Sequence, residues 1–308
     1  MAFRLNRPEP LDRELRRIVR ERLENAAGAL AQRDGHLHEG VHEARKRFKE
    51  IRAVIRLARD SLGVRAKMEN AWYRDAGRSL SGLRDAQALI EACDALAKRS
   101  EPASDDLLRV VREWLQGRLS NREQSMHDIE QQTGTLREAL LGARRRVNDW
   151  HLQAFDRDAL SRGYAGLYRR GQRAYRDTVE APGDVAFHEW RKRVKDHWYH
   201  TRLLAPAWTA PLEARQTELK TLSDLLGDEH DLSVLRDTLL ADGGDLLGRG
   251  EEQALLARIG RRQGELRTQA QALGARIYAE PADGLRQRIL GYLDAWASEQ
   301  PTPRRAGT

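Results

Sequence analysis

The sequence predicts an all-α fold, and three observations carry that prediction. Ala, Leu, Arg, Glu and Gln dominate its 308 residues, and all favour helix. Runs of β-branched residues are absent, and no strand-like alternation of apolar and polar residues extends beyond a few positions. Breakers recur at intervals: Gly35, Gly63, Pro102, Gly134, Pro182 with Gly183, Pro206, Pro211, Gly243 with Gly244, and Pro281. The segments between them run to roughly 20–30 residues, the length of long helices in a bundle. Residues 1–10 and the Pro-containing stretch from Gln300 to Thr308 read as loose ends.

Composition narrows the function classes. A hydrophobic fraction of 40% is enough for a sizeable core. Lys and Arg total 54 against 47 Asp and Glu, a net charge of +7 that points weakly to an anionic partner. The single cysteine, Cys93, excludes an intrachain disulfide framework and a Cys-rich metal site. No apolar run follows Met1, and no stretch approaches the ~18 apolar residues of a membrane span. The expected location is therefore the cytoplasm.

The most informative feature is an internal repeat. Val41-His42-Glu43-Ala44-Arg45-Lys46-Arg47-Phe48-Lys49-Glu50 recurs as Phe187-His188-Glu189-Trp190-Arg191-Lys192-Arg193-Val194-Lys195-Asp196, an offset of 146 residues. Extended to Leu57 and Leu203, the match is 8 identities in 17. Gly82-Leu83-Arg84-Asp85 returns as Gly227-Asp228-Glu229-His230-Asp231, in register at the final aspartate. Two motifs in the same order predict two homologous halves, residues 1–150 and 151–308, with four helices in each.

On a helix of roughly 3.6 residues per turn, Ala44, Phe48, Ile51, Ile55, Ala58 and Leu62 share one face, the predicted core face. His42, Arg45, Lys49, Arg52 and Arg56 form a second stripe, and Glu43 and Glu50 lie on a third. The second copy repeats this division. Phe187, Trp190, Val194 and Thr201 line the core side, His188, Arg191, Lys195 and Arg202 the basic stripe, and Glu189 and Asp196 the acidic side. A solvated helix usually interleaves its signs at i, i+4, whereas here they are sorted. Either an anion sits on the cations, or each stripe pairs with acids on a neighbouring helix. Arg forks and Lys point charges suit phosphate, and protonated His donates from both ring nitrogens. The His188-Glu189 segment has Lys192 where a zinc-protease helix has its second histidine, so no catalytic metal is expected.

These paired His-Glu-x-Arg-Lys-Arg-x-Lys helices, with Gly82-Leu83-Arg84-Asp85 and Leu226-Gly227-Asp228-Glu229-His230-Asp231, resemble the CHAD family, the conserved histidine α-helical domain. The resemblance implies an all-α fold of two four-helix halves related by a pseudo-twofold axis, with a basic groove for inorganic polyphosphate. It implies that His42, Arg45, Lys46, Lys49, Arg52, Arg56 and Arg84 make the contact in the first half. In the second half His188, Arg191, Lys192, Lys195, Arg202 and His230 do so. Two positions depart from an even repeat: Trp198 stands opposite Arg52, either as core filler or as a channel wall, and His230 stands opposite Arg84. A second tier of candidates comprises Arg16 and Arg20 on the first helix, Arg169 and Arg173 early in the second half, and Tyr199; Arg13, Arg176 and Tyr168 are spaced to join them.

The expected function is thus non-catalytic polyphosphate binding without cofactor or metal, with polyphosphate granules as the specific location. An enzyme acting on polyphosphate is a competing reading, but the stripes supply neither nucleophile nor metal-holding carboxylates. Nucleic-acid binding is another, opposed by the lack of a DNA-reading motif and of aromatics placed for stacking. A helical scaffold that uses phosphate binding as an address is compatible with the main reading. Asp85 and Asp231 are expected to orient a cation or cap a helix rather than act as a base.

Overall fold

Helix boundaries follow the punctuation read from the sequence. The computed structural model describes residues 3–31, 37–80, 82–98, 105–123, 126–152 and 154–299. Among these it has twelve α-helices and no strand. They are α1 (Leu11–Ala29), α2 (Leu37–Leu57), α3 (Arg59–Leu62), α4 (Val64–Ser79), α5 (Gly82–Ala97), α6 (Asp105–Glu123), α7 (Met126–Asn148), α8 (Arg157–Glu180), α9 (Asp184–Leu204), α10 (Thr209–Asp242), α11 (Arg249–Ile277) and α12 (Ala282–Ser298). Asp156 caps α8, its Oδ1 accepting from the Ala159 N–H at 2.7 Å. Glu251 reaches back to the Gly248 N–H at 2.9 Å to start α11. Pro182 and Gly183 separate α8 from α9, and Gly63, at φ 55°, turns the chain into α4. None of the described helices is long and apolar enough to cross a membrane.

Two expectations are corrected. Gly134 lies inside α7 rather than ending a helix; one interior glycine costs only about 1 kcal/mol, which packing offsets. Gly35 and Pro102 lie outside the described residues. The count of four helices per half also fails, since seven helices precede residue 150 and five follow it. The first half breaks into α4 and α5 where α10 runs on unbroken for 34 residues. Pro211 does not interrupt α10 because it sits in its first turn, where no intrahelical N–H bond is lost.

Two hydrophobic cores hold the helices. The larger draws on α1, α2, α3, α4, α7, α8, α9, the first part of α10, the later part of α11, and α12. The smaller joins Ile90, Cys93 and Leu96 of α5 to Val111 of α6, Leu235 of α10 and Ile259 of α11. Each core therefore contains residues from both sides of residue 150, and α10 belongs to both. The predicted core faces are buried: Ala44, Phe48, Ile51 and Ile55 on α2, Ala58 and Leu62 at the two ends of the short α3 that follows it, and Phe187, Trp190, Val194 and Thr201 on α9. Each such Phe or Ile contributes roughly 1.5–3 kcal/mol. Close approaches fix the packing. A side chain at Gly163 of α8 would collide with the Leu57 carbonyl, and one at Gly274 of α11 with the Trp190 ring.

The contact between α2 and α9 is ionic as well as apolar. Glu50 of α2, 0% exposed, accepts from Arg202 of α9 at 3.1 Å. Asp196 of α9 accepts from Arg56 of α2 at 2.6 Å. Glu50 and Asp196 are the matching acids of the two motifs, and Arg56 and Arg202 the matching arginines. The two pairs thus have the reciprocal form of an isologous contact. Glu50 also accepts from Arg47 at 3.0 Å and from Arg22, itself 1% exposed, at 3.4 Å. The His200 Nε2–H of α9 donates to the Ala53 carbonyl of α2 at 2.8 Å. Burial holds His200 neutral, lowering its pKa to about 4.

Removing Glu50 would take from Arg22, Arg47 and Arg202 the buried carboxylate they share. In urea unfolding, Glu50→Ala should cost on the order of 3–5 kcal/mol. Lys192→Ala, which breaks only an exposed pair with Glu189, should stay within about 0.5 kcal/mol. Similar small effects from both would remove Glu50 from its central role.

Candidate phosphate-binding groove

Because α2 and α9 cross on their Glu50 and Asp196 sides, their basic stripes meet beside α10. Lys49 projects from α2 and Lys195 from α9, close enough that the Lys49 ammonium disfavours charge on Lys195. Arg191 stands one turn before Lys195 on α9, and α10 supplies His230, Asp224 and Asp231. Lys195 has no ion-pair partner among the described residues. Burial, then Arg191 and Lys49, lower its pKa from 10.5 to about 7, against the opposing pull of Asp231 and Asp224. Burial also lowers the pKa of Arg191, with Asp231, Glu229 and Asp228 opposing. Its Nε is buried with no hydrogen-bond acceptor among the described residues.

The two motif histidines meet here. His188 Nδ1 lies 3.3 Å from His230 Nδ1, with ring centroids 4.5 Å apart. One ring must donate and the other accept, so the pair can take up one extra proton while keeping this contact, but not two. Burial, then Arg191, His188 and Lys195, push His230 down to about 4. His188 is lowered as well, by burial and then by Lys192 and Arg191. Both are therefore neutral near pH 7 in the free protein, and the neighbouring cation lowered into the physiological range is Lys195.

A second group of cations adjoins the first. Arg52, one turn beyond Lys49 on α2, donates from Nε to Asn70 Oδ1 at 3.1 Å. Burial, then Arg56, lower its pKa to about 10, with Asp196 opposing and Arg74 and Arg78 of α4 adding to the effect. The track therefore runs from α4 across α2 to α9 and α10. Arg74 and Arg78 were not legible as site residues. Their counterparts at the repeat offset, Lys220 and Asp224, pair with each other at 2.6 Å, so no repeated pattern marks them.

Other candidates have other duties. Arg56 and Arg202 are committed to Asp196 and Glu50, the neighbouring-acid alternative for the ends of both stripes. Lys46 pairs with Glu43 at 3.4 Å and Lys192 with Glu189, both on the outward acidic side of their own helices. Arg45 donates to the Leu80 carbonyl at 3.3 Å, at the C-terminal end of α4, where the helix dipole favours a cation. His42 is exposed, and the side chains of Arg84 and Asp85 lie outside the described residues. Asp231 faces Arg191 and Lys195. It also borders a cavity of about 530 Å³ between α5, α10 and α11.

The second tier lies away from the groove. Arg16 donates to the Trp150 carbonyl at 2.7 Å, Arg20 to Asn148, and Arg169 to Asp283 at 2.9 Å. Arg173 is exposed on α8. Tyr199 is buried edge-on to Phe3, and the Tyr168 hydroxyl donates to the Glu280 carbonyl at 2.9 Å, so neither faces an external ligand. Trp198 packs against the larger core beneath Arg202, the core-filling alternative. Among the described residues no group of His, Cys, Asp or Glu is placed to hold a metal ion.

The histidine geometry gives a direct check. Proton NMR titration of the free protein should place the His230 midpoint below about pH 5, with Arg191→Ala moving it upward. A midpoint near the ordinary histidine value would mean that His230 is solvated and outside the cation cluster.

Comparison with the curated proteins finds no match. The family model of the CHAD domain matches residues 11–240, a span that includes both histidine helices and the α10 motif, and the chain therefore belongs to the CHAD family.

Proposed function

We propose that the protein binds inorganic polyphosphate, without turning it over, along the groove formed by α2, α9 and α10. CHAD domains are associated with polyphosphate. The observation that carries the reading here is the convergence of Lys49, Arg191 and Lys195 on one place. Lys195 has no ion-pair partner among the described residues and Arg191 keeps a buried, unsatisfied Nε–H. Like charges gathered in a partly desolvated groove destabilise the free protein, and a phosphate chain would relieve that repulsion. Arg52, with Arg78 behind it, would continue the track for a longer chain, whereas Arg74 is held by Asp75 at 2.8 Å. The two-repeat reading, 1–150 and 151–308, is supported by the constant sequence offset and by the exchanged pairs Glu50–Arg202 and Asp196–Arg56. Association with cytoplasmic polyphosphate granules is part of the proposal.

Titration with polyphosphates of increasing length at physiological salt tests it. Affinity should rise with length, and each lost cation should lower the slope of log affinity against log salt by about one. The triple variant Lys49→Ala, Arg191→Ala, Lys195→Ala should bind roughly tenfold or more weakly while remaining helical by circular dichroism. Unchanged affinity in that variant would refute the groove. Incubation with polyphosphate and Mg²⁺ should release no phosphate; release would make the protein an enzyme.

Affinity should also depend on pH. A bound polyanion raises the pKa of Lys195 from about 7, so the complex holds more protons than the free protein. By linkage, binding then tightens as pH falls from about 8 to about 6. Equal affinity at both would remove Lys195 from the contact.

A further inference from the structure

We propose that Arg267 of α11 is a positioning residue of the groove, one that locks the start of α9 to α10 and so sets the contact between His188 and His230. The inference rests on the groove reading and names what holds its histidine side in place. The Arg267 guanidinium joins three helices. Its Nε and Nη2 donate to Glu229 Oε1 of α10 at 2.9 and 2.5 Å, and Nη2 also donates to Oδ1 of Asp184, the first residue of α9. Its Cζ lies over the Phe187 ring, 4.8 Å from the centroid. Phe187 and Glu229 are the residues immediately before His188 and His230. One side chain therefore holds the residue preceding each of the two histidines.

The surrounding cluster is built on the same two acids. Asp184 Oδ2 accepts from Ser233 Oγ at 3.1 Å and from Arg236 Nη2 at 2.5 Å, one and two turns beyond Glu229 on α10. Gln263, one turn before Arg267 on α11, donates to Glu229 Oε1 at 3.3 Å. Glu229 is buried, where a carboxylate is tolerated only with donors in good geometry. Successive residues on a helix point roughly 100° apart. Holding Phe187 and Glu229 against α11 therefore sets the direction of the next side chain on each helix, and Nδ1 of His188 comes within 3.3 Å of Nδ1 of His230. An arginine suits the role because its planar fork serves two carboxylates at once, whereas a lysine is a point charge. The sequence repeat does not carry this bridge: at the repeat offset Glu229 corresponds to Leu83 and Arg267 to Asn121. Helix α11 also lies beyond the residues that the family model matches.

Histidine titration by NMR and polyphosphate titration, both on the full chain, test the proposal with three variants. Arg267→Lys keeps the charge and loses the fork. His230 should become more solvated, its midpoint rising by about one pH unit or more toward the ordinary histidine value. Polyphosphate affinity should fall about tenfold, as when a group that orients a ligating histidine is lost. Glu229→Gln strikes the same bridge with the opposite electrostatics, and it decides the matter should Arg267→Lys fail to fold. Loss of an anion near the groove would by itself tighten polyanion binding, whereas a loosened bridge weakens it, by about threefold. Arg261→Ala removes an exposed cation of α11 outside the cluster and should leave both readouts at wild-type values. A wild-type midpoint and affinity in Arg267→Lys, or tighter binding in Glu229→Gln, overturns the proposal. If wild type binds no polyphosphate, the groove's assigned ligand fails, and the His230 midpoint still decides: a rise in Arg267→Lys supports the positioning role and no change defeats it. If wild type binds and the Lys49, Arg191 and Lys195 triple variant does not, unchanged binding and midpoint in Arg267→Lys defeat the positioning role alone.

Discussion

Two ion pairs exchanged between α2 and α9 determine the arrangement of the site. Glu50 takes Arg202 and Asp196 takes Arg56, so each helix gives its carboxylate to the other's arginine. Charged groups this far from water are tolerated only when paired with good geometry. Glu50 meets that condition by gathering Arg22, Arg47 and Arg202 around one fully buried carboxylate. A relative rotation of the two helices would break both pairs together. The crossing they fix brings Lys49 and Lys195 to the same place.

The same crossing gives the site its electrostatic character. Where the exchanged pairs lie, Arg56 and Arg202 are neutralised by Asp196 and Glu50. One or two turns away Lys195 meets Arg191 and Lys49, with the carboxylates of Asp231 and Asp224 on α10 only partly offsetting them. The free protein accommodates this by shedding protons: Lys195 sits near pH 7 and His230 stays neutral. Such a site is costly to stability, as binding sites often are, and under the proposed function its occupancy would be coupled to protons, because an arriving anion would restore charge to Lys195.

Much of this was legible in the chain. Periodicity on α2 and α9 placed the core faces correctly from Ala44 to Leu62 and from Phe187 to Thr201, because burial on a helix follows the 3.6-residue repeat. The repeated motifs single out His188 and His230, which meet in the fold. What a helical wheel cannot supply is the neighbour. Glu50 and Asp196 fell on the acidic side of their wheels, yet they are buried by the partner helix. Arg56 and Arg202 lay in line with the anion stripes, yet they are claimed by those same acids. Arg74 and Arg78 were invisible because only tertiary packing brings α4 beside Arg52. The helix count failed because breakers alone did not mark the short α3 or the division of the first half into α4 and α5, where the second half keeps one unbroken α10.

The most direct test of this account is a crystal structure of the protein with a short polyphosphate bound, with the phosphorus positions located in difference density. The account predicts a chain lying between α2 and α9, with phosphate oxygens within hydrogen-bond reach of Lys49, Arg191 and Lys195, and with the Glu50–Arg202 and Asp196–Arg56 pairs intact. Phosphate density on the outer arginines of α8 instead, or an empty groove at saturating ligand, would contradict it.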